Sequence, residues 1–332
     1  MVYVVRLSLF HPTLPRAEVL AVLEAMDSGF KELSFDGRYL RVEAEPEATR
    51  WLLDRCAYVR ELSEELVSSD DIEGLFRKLS RGMLPNGMFS FAVEADKPVS
   101  RRFEPPLGDL IKGMTGWRVD LEKPDILFKL IKVGELYVLA VSLGKASLKG
   151  FHSREPKFRP VTHPSTMKPM LARCMVNLAR VKPGDVVLDP FCGVGGILLE
   201  AGLLGCRVLG LDIAPKLVRG CLTNLRWGGV EPLGLVAGDA CKIPFRTFKT
   251  FVSDLPYGRA AKTDGRTPIE TLEEFLEYVA PLVSKGVYAC IGVAGLNLDE
   301  GFFLEKGFKM TGKYMVKEHK SLVREIIVLR RV

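Results

Sequence analysis

The stretch VVLDPFCGVGGILLEAG, residues 186–202, decides the fold. A continuous apolar strand ends in Asp189, and Gly193, Gly195 and Gly196 then open an apolar helix. Strand, glycine turn and helix in that order begin a parallel α/β unit. The glycines let the backbone approach a ligand, and the helix N-terminus presents unpaired N–H groups. A lone glycine loop is weak evidence for any particular ligand. The dinucleotide fingerprint wants a glycine at its sixth position, and Leu198 stands there.

Downstream, the alternation continues. RVLGLD (207–212), GLVAGD (234–239), TFVSD (250–254) and GVYACIGVA (286–294) read as strands, and KLVRGCLTNLRWGG and TLEEFLEYVAPLVS as helices. Continuous apolar strands separated by helices imply a parallel sheet covered on both faces. FKMTGKYMV (308–316) and VREIIVLRRV (323–332) close the chain without an expected helix between them, so they should pair antiparallel at one edge. Four strand ends carry acids: Asp189, Asp212, Asp239 and Asp254. A single one is most simply an N-cap or turn aspartate. Four in register along the carboxyl edge of an open sheet point into one crevice. So many carboxylates would repel a phosphate. They suit S-adenosylmethionine, which is cationic at sulfur and carries ribose hydroxyls and an adenine amine.

Upstream of about residue 150 the units are shorter. YVVRLSLF, RYLRVEA, MFSFAVEA, DILFKLIKV and LYVLAVSLG read as strands. PRAEVLAVLEAM, EPEATRWLLDRC, DDIEGLFRKL and LGDLIKGM read as helices. This is an α+β arrangement, with a hairpin turn at Gly134-Glu135. The 332 residues allow two or three domains, and 47% hydrophobic with 27% charged residues is ordinary for a globular chain. The net charge of +6 permits a nucleic-acid partner without requiring one. Charge is unevenly spread. Ten acids face three arginines between Glu43 and Glu73, whereas nine cations face Glu155 alone between Lys145 and Lys182. The basic run begins in a proline-containing segment, GKASLKGFHSREPKFRPVTHPS, where Phe151, His152 and Phe158 are interleaved with cations. The plain reading is a solvated face. The alternative is contact with phosphates and stacking on bases.

Other features exclude more than they assign. No apolar run approaches the roughly 20 residues that span a bilayer, and the N-terminus lacks a signal-peptide pattern. A cytoplasmic protein is expected. Seven cysteines occur without a C-x-x-C pair and beside only four histidines, so no metal site is expected. The absence of glutamine fits the depletion of thermolabile amides in hyperthermophile proteins.

VLDPFCGVGG, LGLDIAP, GDACKIPF and SDLPYGR together resemble the class I S-adenosylmethionine-dependent methyltransferases, and within them the amine methylases with a D/N-P-P-Y motif. FRPVTHPSTMKPMLARCMVNLA resembles the segment that precedes this domain in tRNA guanine-N2 methyltransferases. The stretch ending VDLEKPDILFKLIKVGELYVLAVSLG resembles a THUMP RNA-binding domain. The chain as a whole resembles the archaeal family that methylates the 2-amino group of guanosine 10 in tRNA. The resemblance implies a Rossmann-like C-terminal sheet with an antiparallel edge behind an α+β ferredoxin-like plus THUMP region. The corresponding spans are a ferredoxin-like unit at 1–55, THUMP at 56–145, a basic linker at 146–164 and the methyltransferase domain at 165–332.

Roles follow by position. Asp189, Cys192, Gly193 and Gly195 line the methionine end of the cofactor, and Thr166 and Lys168 close over it. Asp212 holds ribose, Ile213 packs on adenine, and Asp239 with Ala240 meets the adenine amine. Asp254 accepts from the guanine amine, aided by the Leu255 carbonyl on the Pro256 turn, while Tyr257 stacks on the base. Leu255 departs from the family, which has proline there. Lys149, Arg154, Lys157 and Arg159 are the implied RNA contacts. The partner is tRNA, with no membrane and no metal, and the enzyme is expected to be monomeric. Other readings are an N-methyltransferase for another guanosine of tRNA or ribosomal RNA or for DNA adenine, a protein-glutamine methylase, and a non-catalytic RNA-binding protein.

Overall fold

The chain divides into two compact units. Met1–Arg16, Asp27–Asp54 and Tyr58–Ser147 form the first, and Ala17–Met26, Arg55–Ala57 and Leu148–Val332 the second. The structure, a computed structural model, describes residues 1–26, 29–164, 166–256, 266–319 and 322–332.

The described strands of the first unit are β1 (Val2–Leu7), β2 (Lys31–Phe35), β3 (Tyr39–Glu43), β4 (Val59–Ser69), β5 (Ser90–Ala95), β6 (Arg118–Val119), β7 (Ile126–Val133) and β8 (Leu136–Lys145). They form one sheet in the order β2-β3-β1-β4-β8-β7-β5-β6. The sheet is continuous across residue 55, because β1 pairs with β4. Periodicity did not reveal β4, an eleven-residue strand, because Glu61, Glu64 and Glu65 interrupt its apolar pattern. Two of those acids find cations across the sheet: Arg6 of the adjacent β1 lies 3.3 Å from Glu61, and Arg41 of β3, one strand further, lies 2.8 Å from Glu65. Part of the acidic stretch between Glu43 and Glu73 is therefore an internal ion-pair network. α1 (Leu14–Ala25), α2 (Pro46–Arg55), α3 (Ile72–Lys78) and α4 (Glu104–Thr115) complete this half of the chain. α3 and α4 cover a core around Trp117, Phe91 and Phe128.

In the second unit come α5 (Lys149–Ser153), α6 (Pro169–Leu178), β9 (Val186–Asp189), α7 (Gly196–Leu203), β10 (Arg207–Asp212), α8 (Pro215–Trp227), β11 (Gly234–Ala237), β12 (Thr250–Asp254), α9 (Pro268–Val279), β13 (Tyr288–Val293), α10 (Glu300–Glu305), β14 (Phe308–His319) and β15 (Leu322–Arg331). The sheet order is β11-β10-β9-β12-β13-β15-β14. β9 to β13 are parallel, and β15 runs antiparallel to both of its neighbours. The helix starts carry local signals: Pro169, Pro215 and Pro268 sit in the first turns, and Thr267 with Glu270 closes a capping box. The sequence pattern did not show α6, α10 before β14, or α5, which with a 3-10 turn at Pro156–Phe158 orders the basic linker.

Residues 17–26 and 55–57 belong to this second unit through a buried polar knot. Arg55 donates to Asn177 Oδ1 at 2.8 Å and to the Val181 carbonyl, and Asn177 donates to Glu18 at 2.8 Å.

Candidate active site

The four acids were placed by four different strands, and the sheet order brings them to one edge as Asp239, Asp212, Asp189 and Asp254. All four line a cavity of about 620 Å³. Its floor is the turn after β9. Gly193 takes φ +53° and donates its N–H to Asp212 at 2.9 Å. Gly195 takes φ +83° as the N-cap of α7, and a Cβ there would stand 2.7 Å from the Cys221 sulfur. Asn224 of α8 ties the walls together, donating to the carbonyls of Val161 at 2.8 Å and Val194 at 2.9 Å.

The acids differ in electrostatics. Asp189 is buried and receives hydrogen bonds from the Ser253 hydroxyl and the Phe191 N–H. Burial pushes its pKa up to about 7 despite these donors. Asp212 is also raised by burial, although the N–H groups of Ala214 and Gly193 oppose this. Asp239 is the reverse. Its partial burial is outweighed by the Cys241 N–H and by Arg266, which lies 2.8 Å away, and its pKa is lowered. Asp254 meets Arg324 in a two-pronged ion pair, Nε to Oδ1 at 2.9 Å and Nη2 to Oδ2 at 3.0 Å. Burial raises its pKa to about 6, against the pull of that guanidinium.

The comparisons with known proteins bear on this arrangement. The family described as RMKL-like, methyltransferase domain, matches residues 156–323. A tRNA (guanine(10)-N2)-dimethyltransferase of Methanothermobacter thermautotrophicus is 35% identical over the full length of both chains. One from Pyrococcus abyssi is 30% identical over 99% of each. This chain belongs to the tRNA (guanine-N2)-methyltransferase family. Among solved structures, TrmN from Thermus thermophilus covers all of both chains with a TM-score of 0.52 and 22% identity, a likeness of fold. The methyl donor of this class I methyltransferase is S-adenosyl-L-methionine.

The residues present fit that group. Nothing lies within 4 Å of where a Cβ on Gly193 would stand, so the backbone there is open to close approach. Asp212 offers carboxylate oxygens for hydroxyls, and Ile213, 39% exposed, gives an apolar face. Of the residues expected at the cofactor, Thr166, Asp189, Cys192, Gly193, Asp212, Ile213, Asp239 and Ala240 line the cavity. Lys168 and Gly195 do not. Lys168 is exposed at the start of α6, and Gly195 faces α8. Asp239 is engaged on both oxygens, by Cys241 N–H and Arg266.

On the substrate side, Asp254, Leu255 and Pro256 line the cavity. The Leu255 side chain is buried in the apolar core beside Leu211 and Leu272, and its N–H donates to the Gly292 carbonyl. That burial explains how an aliphatic side chain stands in the proline position. Tyr257 lies outside the described residues.

The four cations of the basic segment separate into two pairs. Lys149 and Lys157 are exposed. Arg154 and Arg159 point inward instead. Glu200, fully buried on the apolar helix α7, receives Arg154 at 2.8 and 3.0 Å and Arg173 at 2.9 Å. A buried carboxylate needs such partners, and α7 placed it there. Arg159 is buried too, its Nε donating to the Arg154 carbonyl. Phe151 packs beneath Arg154 and Arg173, while Phe158 is 56% exposed.

Sequence reading missed Arg266, Arg324, Ser253 and Asn224. Arg324 and Arg266 carry no motif of their own, being far in sequence from the strand-end acids Asp254 and Asp239 that they meet. An asparagine at helical spacing with Leu217, Cys221 and Leu225 was the available signal for Asn224.

Proposed function

We propose that this chain methylates the exocyclic N2 amine of guanosine 10 in tRNA, giving N2-methylguanosine and then N2,N2-dimethylguanosine. The observation that carries the reading is Asp254. It is the acid of the row left for substrate, it lines the cavity of the glycine loop, and Arg324 holds it ionised. The close relatives are named for this reaction.

The guanine amine is a poor nucleophile because its lone pair is delocalised into the ring. Asp254 accepts one of its N–H bonds and the Leu255 carbonyl the other, which favours a pyramidal nitrogen. When bound, S-adenosylmethionine supplies an electrophilic methyl carbon. The proton that the nitrogen sheds after transfer passes to the Asp254 carboxylate. Positioning and fixed charge supply most of the rate gain, since no residue need be a strong base. Tyr257 is assigned to stacking on the base, worth about 1–3 kcal/mol for such contacts. Asp212 holds ribose, and Asp239 with Arg266 and Ala240 forms the adenine end.

In this reading the first unit grips tRNA, and at the start of the second unit Lys149 and Lys157 reach phosphates while Phe158 offers a stacking face. The enzyme acts as a cytoplasmic monomer. No helix among the described residues is long and apolar enough to cross a membrane, and they hold no cluster suited to a metal ion.

Incubation with unmodified tRNA and labelled cofactor, followed by nucleoside mapping, tests the assignment. Label is expected at guanosine 10 as mono- and dimethylated nucleosides. Asp254→Asn should lower kcat at least about 100-fold while cofactor affinity, by calorimetry, stays within about 3-fold. Label elsewhere overturns the position, and full activity of the variant overturns the role of Asp254.

A further inference from the structure

Asp254 is held from two strands away. β13 lies between β12 and β15, with Asp254 opposite Gly292 and Gly292 opposite Ile326. Arg324 reaches Asp254 across Gly292. A Cβ on Gly292 would lie 2.5 Å from Asp254 Oδ1 and 3.3 Å from Arg324 Cδ, so a side chain there would block the crossing. The Arg324 side chain is 2% exposed, and its third nitrogen, Nη1, donates to Glu318 of β14 at 2.7 Å. Asp254, Arg324 and Glu318 thus form a line across the antiparallel edge of the sheet. Arg324 donates to both Asp254 oxygens, which fixes the plane of the carboxylate.

We propose that Arg324, braced by Glu318, is a positioning residue for methyl transfer: it fixes the plane and the negative charge of Asp254 and reserves the remaining acceptor direction for the substrate amine. This rests on the assignment of Asp254 to the substrate. A carboxyl so buried would otherwise keep its proton near neutral pH, and a protonated oxygen donates where the amine needs an acceptor. Among the described residues, the charged groups acting on Asp254 are Arg324 and Glu318, with Asp189 on the other side at the neighbouring strand end. Arg324 favours the ionised form and Glu318 opposes it. The two neighbours therefore pull the same carboxyl in opposite directions.

Those opposite signs supply the test. The Asp254 side-chain carboxyl is titrated by carbon-13 NMR in the wild type, Arg324→Lys and Glu318→Gln, each checked for a folded melting transition. Arg324→Lys keeps a charge but loses the two-pronged fit, and Glu318→Gln keeps the volume in case the arginine variant does not fold. The Asp254 midpoint is expected to rise in Arg324→Lys and fall in Glu318→Gln. The acid limb of kcat on unmodified tRNA should move with it in each case. At neutral pH, kcat of Arg324→Lys falls about 10- to 100-fold, with KM for tRNA and cofactor affinity within about 3-fold. Midpoints that stay still, or shift in the same direction in both variants, overturn the proposal. So does a loss of cofactor affinity as large as the loss of kcat. The titration needs no substrate, so opposite shifts in a protein that methylates no guanosine would sink the functional reading and leave the control of Asp254 standing.

Discussion

Asp189 and Asp254 end adjacent parallel strands, yet among the described residues only Asp254 of the two has a cation beside it. Asp189 is raised from 3.8 to about 7, first by burial and then by the neighbouring Asp254 and Asp212 charges. It therefore binds its proton more tightly folded than unfolded. The stability this confers is complete below about pH 4 and is lost as pH rises through about 7. Thermal unfolding of the free enzyme should show the loss: the wild type should drop further in Tm between pH 5 and pH 8 than Asp189→Asn. Equal slopes for the two would refute the raised pKa. That Asp189 sits at the site was legible from a strand, an acid and a glycine loop in succession. Its charge state was not, because that depends on Ser253 and on the depth of the sheet edge. Likewise Leu255 read as a broken motif, and only its core contacts show why the position takes an aliphatic side chain.

Elements explain which parts of the fold were readable. β9 to β13 are short, nearly uninterrupted apolar runs, and their strand character survives any register. β4 hides its period because Glu61 and Glu65 pair across the sheet, a fact of the assembled sheet rather than of the strand. The turn into α7 shows the same division. The glycines announce it, but their separate duties do not follow from spacing. Gly193 faces the cavity, and Gly195 faces Cys221 in a left-handed conformation. Gly195→Ala should cost about 1–2 kcal/mol for the backbone alone and more for the contact with the sulfur. Urea unfolding of the single variant and of Gly195→Ala/Cys221→Ala separates the two. The second change should restore part of the stability, and a double variant no better than the single would remove the steric component.

At the scale of the whole molecule, the second unit recruits residues from the N-terminal part of the chain. Glu18 and Arg55 fill the hydrogen-bonding needs of Asn177 and of the Val181 carbonyl, which are buried. A fragment Leu148–Val332 retains every cavity residue but strips those partners from Asn177. Buried polar groups left unpaired cost about 1–3 kcal/mol each. The fragment should melt several degrees below the full chain, bind S-adenosylmethionine measurably, and bind tRNA far more weakly than the full chain, because only Lys149, Lys157 and Phe158 of the RNA contacts remain. A fragment as stable as the whole chain would show that the polar knot is dispensable, and strong tRNA binding would shift RNA recognition away from the first unit. By itself, the sequence determined the α/β class, the glycine turn and the row of strand-end acids, because these are local: periodicity, turn chemistry and a residue at each strand's end. Tertiary structure alone decided the electrostatic state of that row. Arg266 and Arg324 reach Asp239 and Asp254 only once the chain has folded, Glu318 acts on Asp254 from beyond Arg324, and the charge of a buried carboxyl is set by what surrounds it in space.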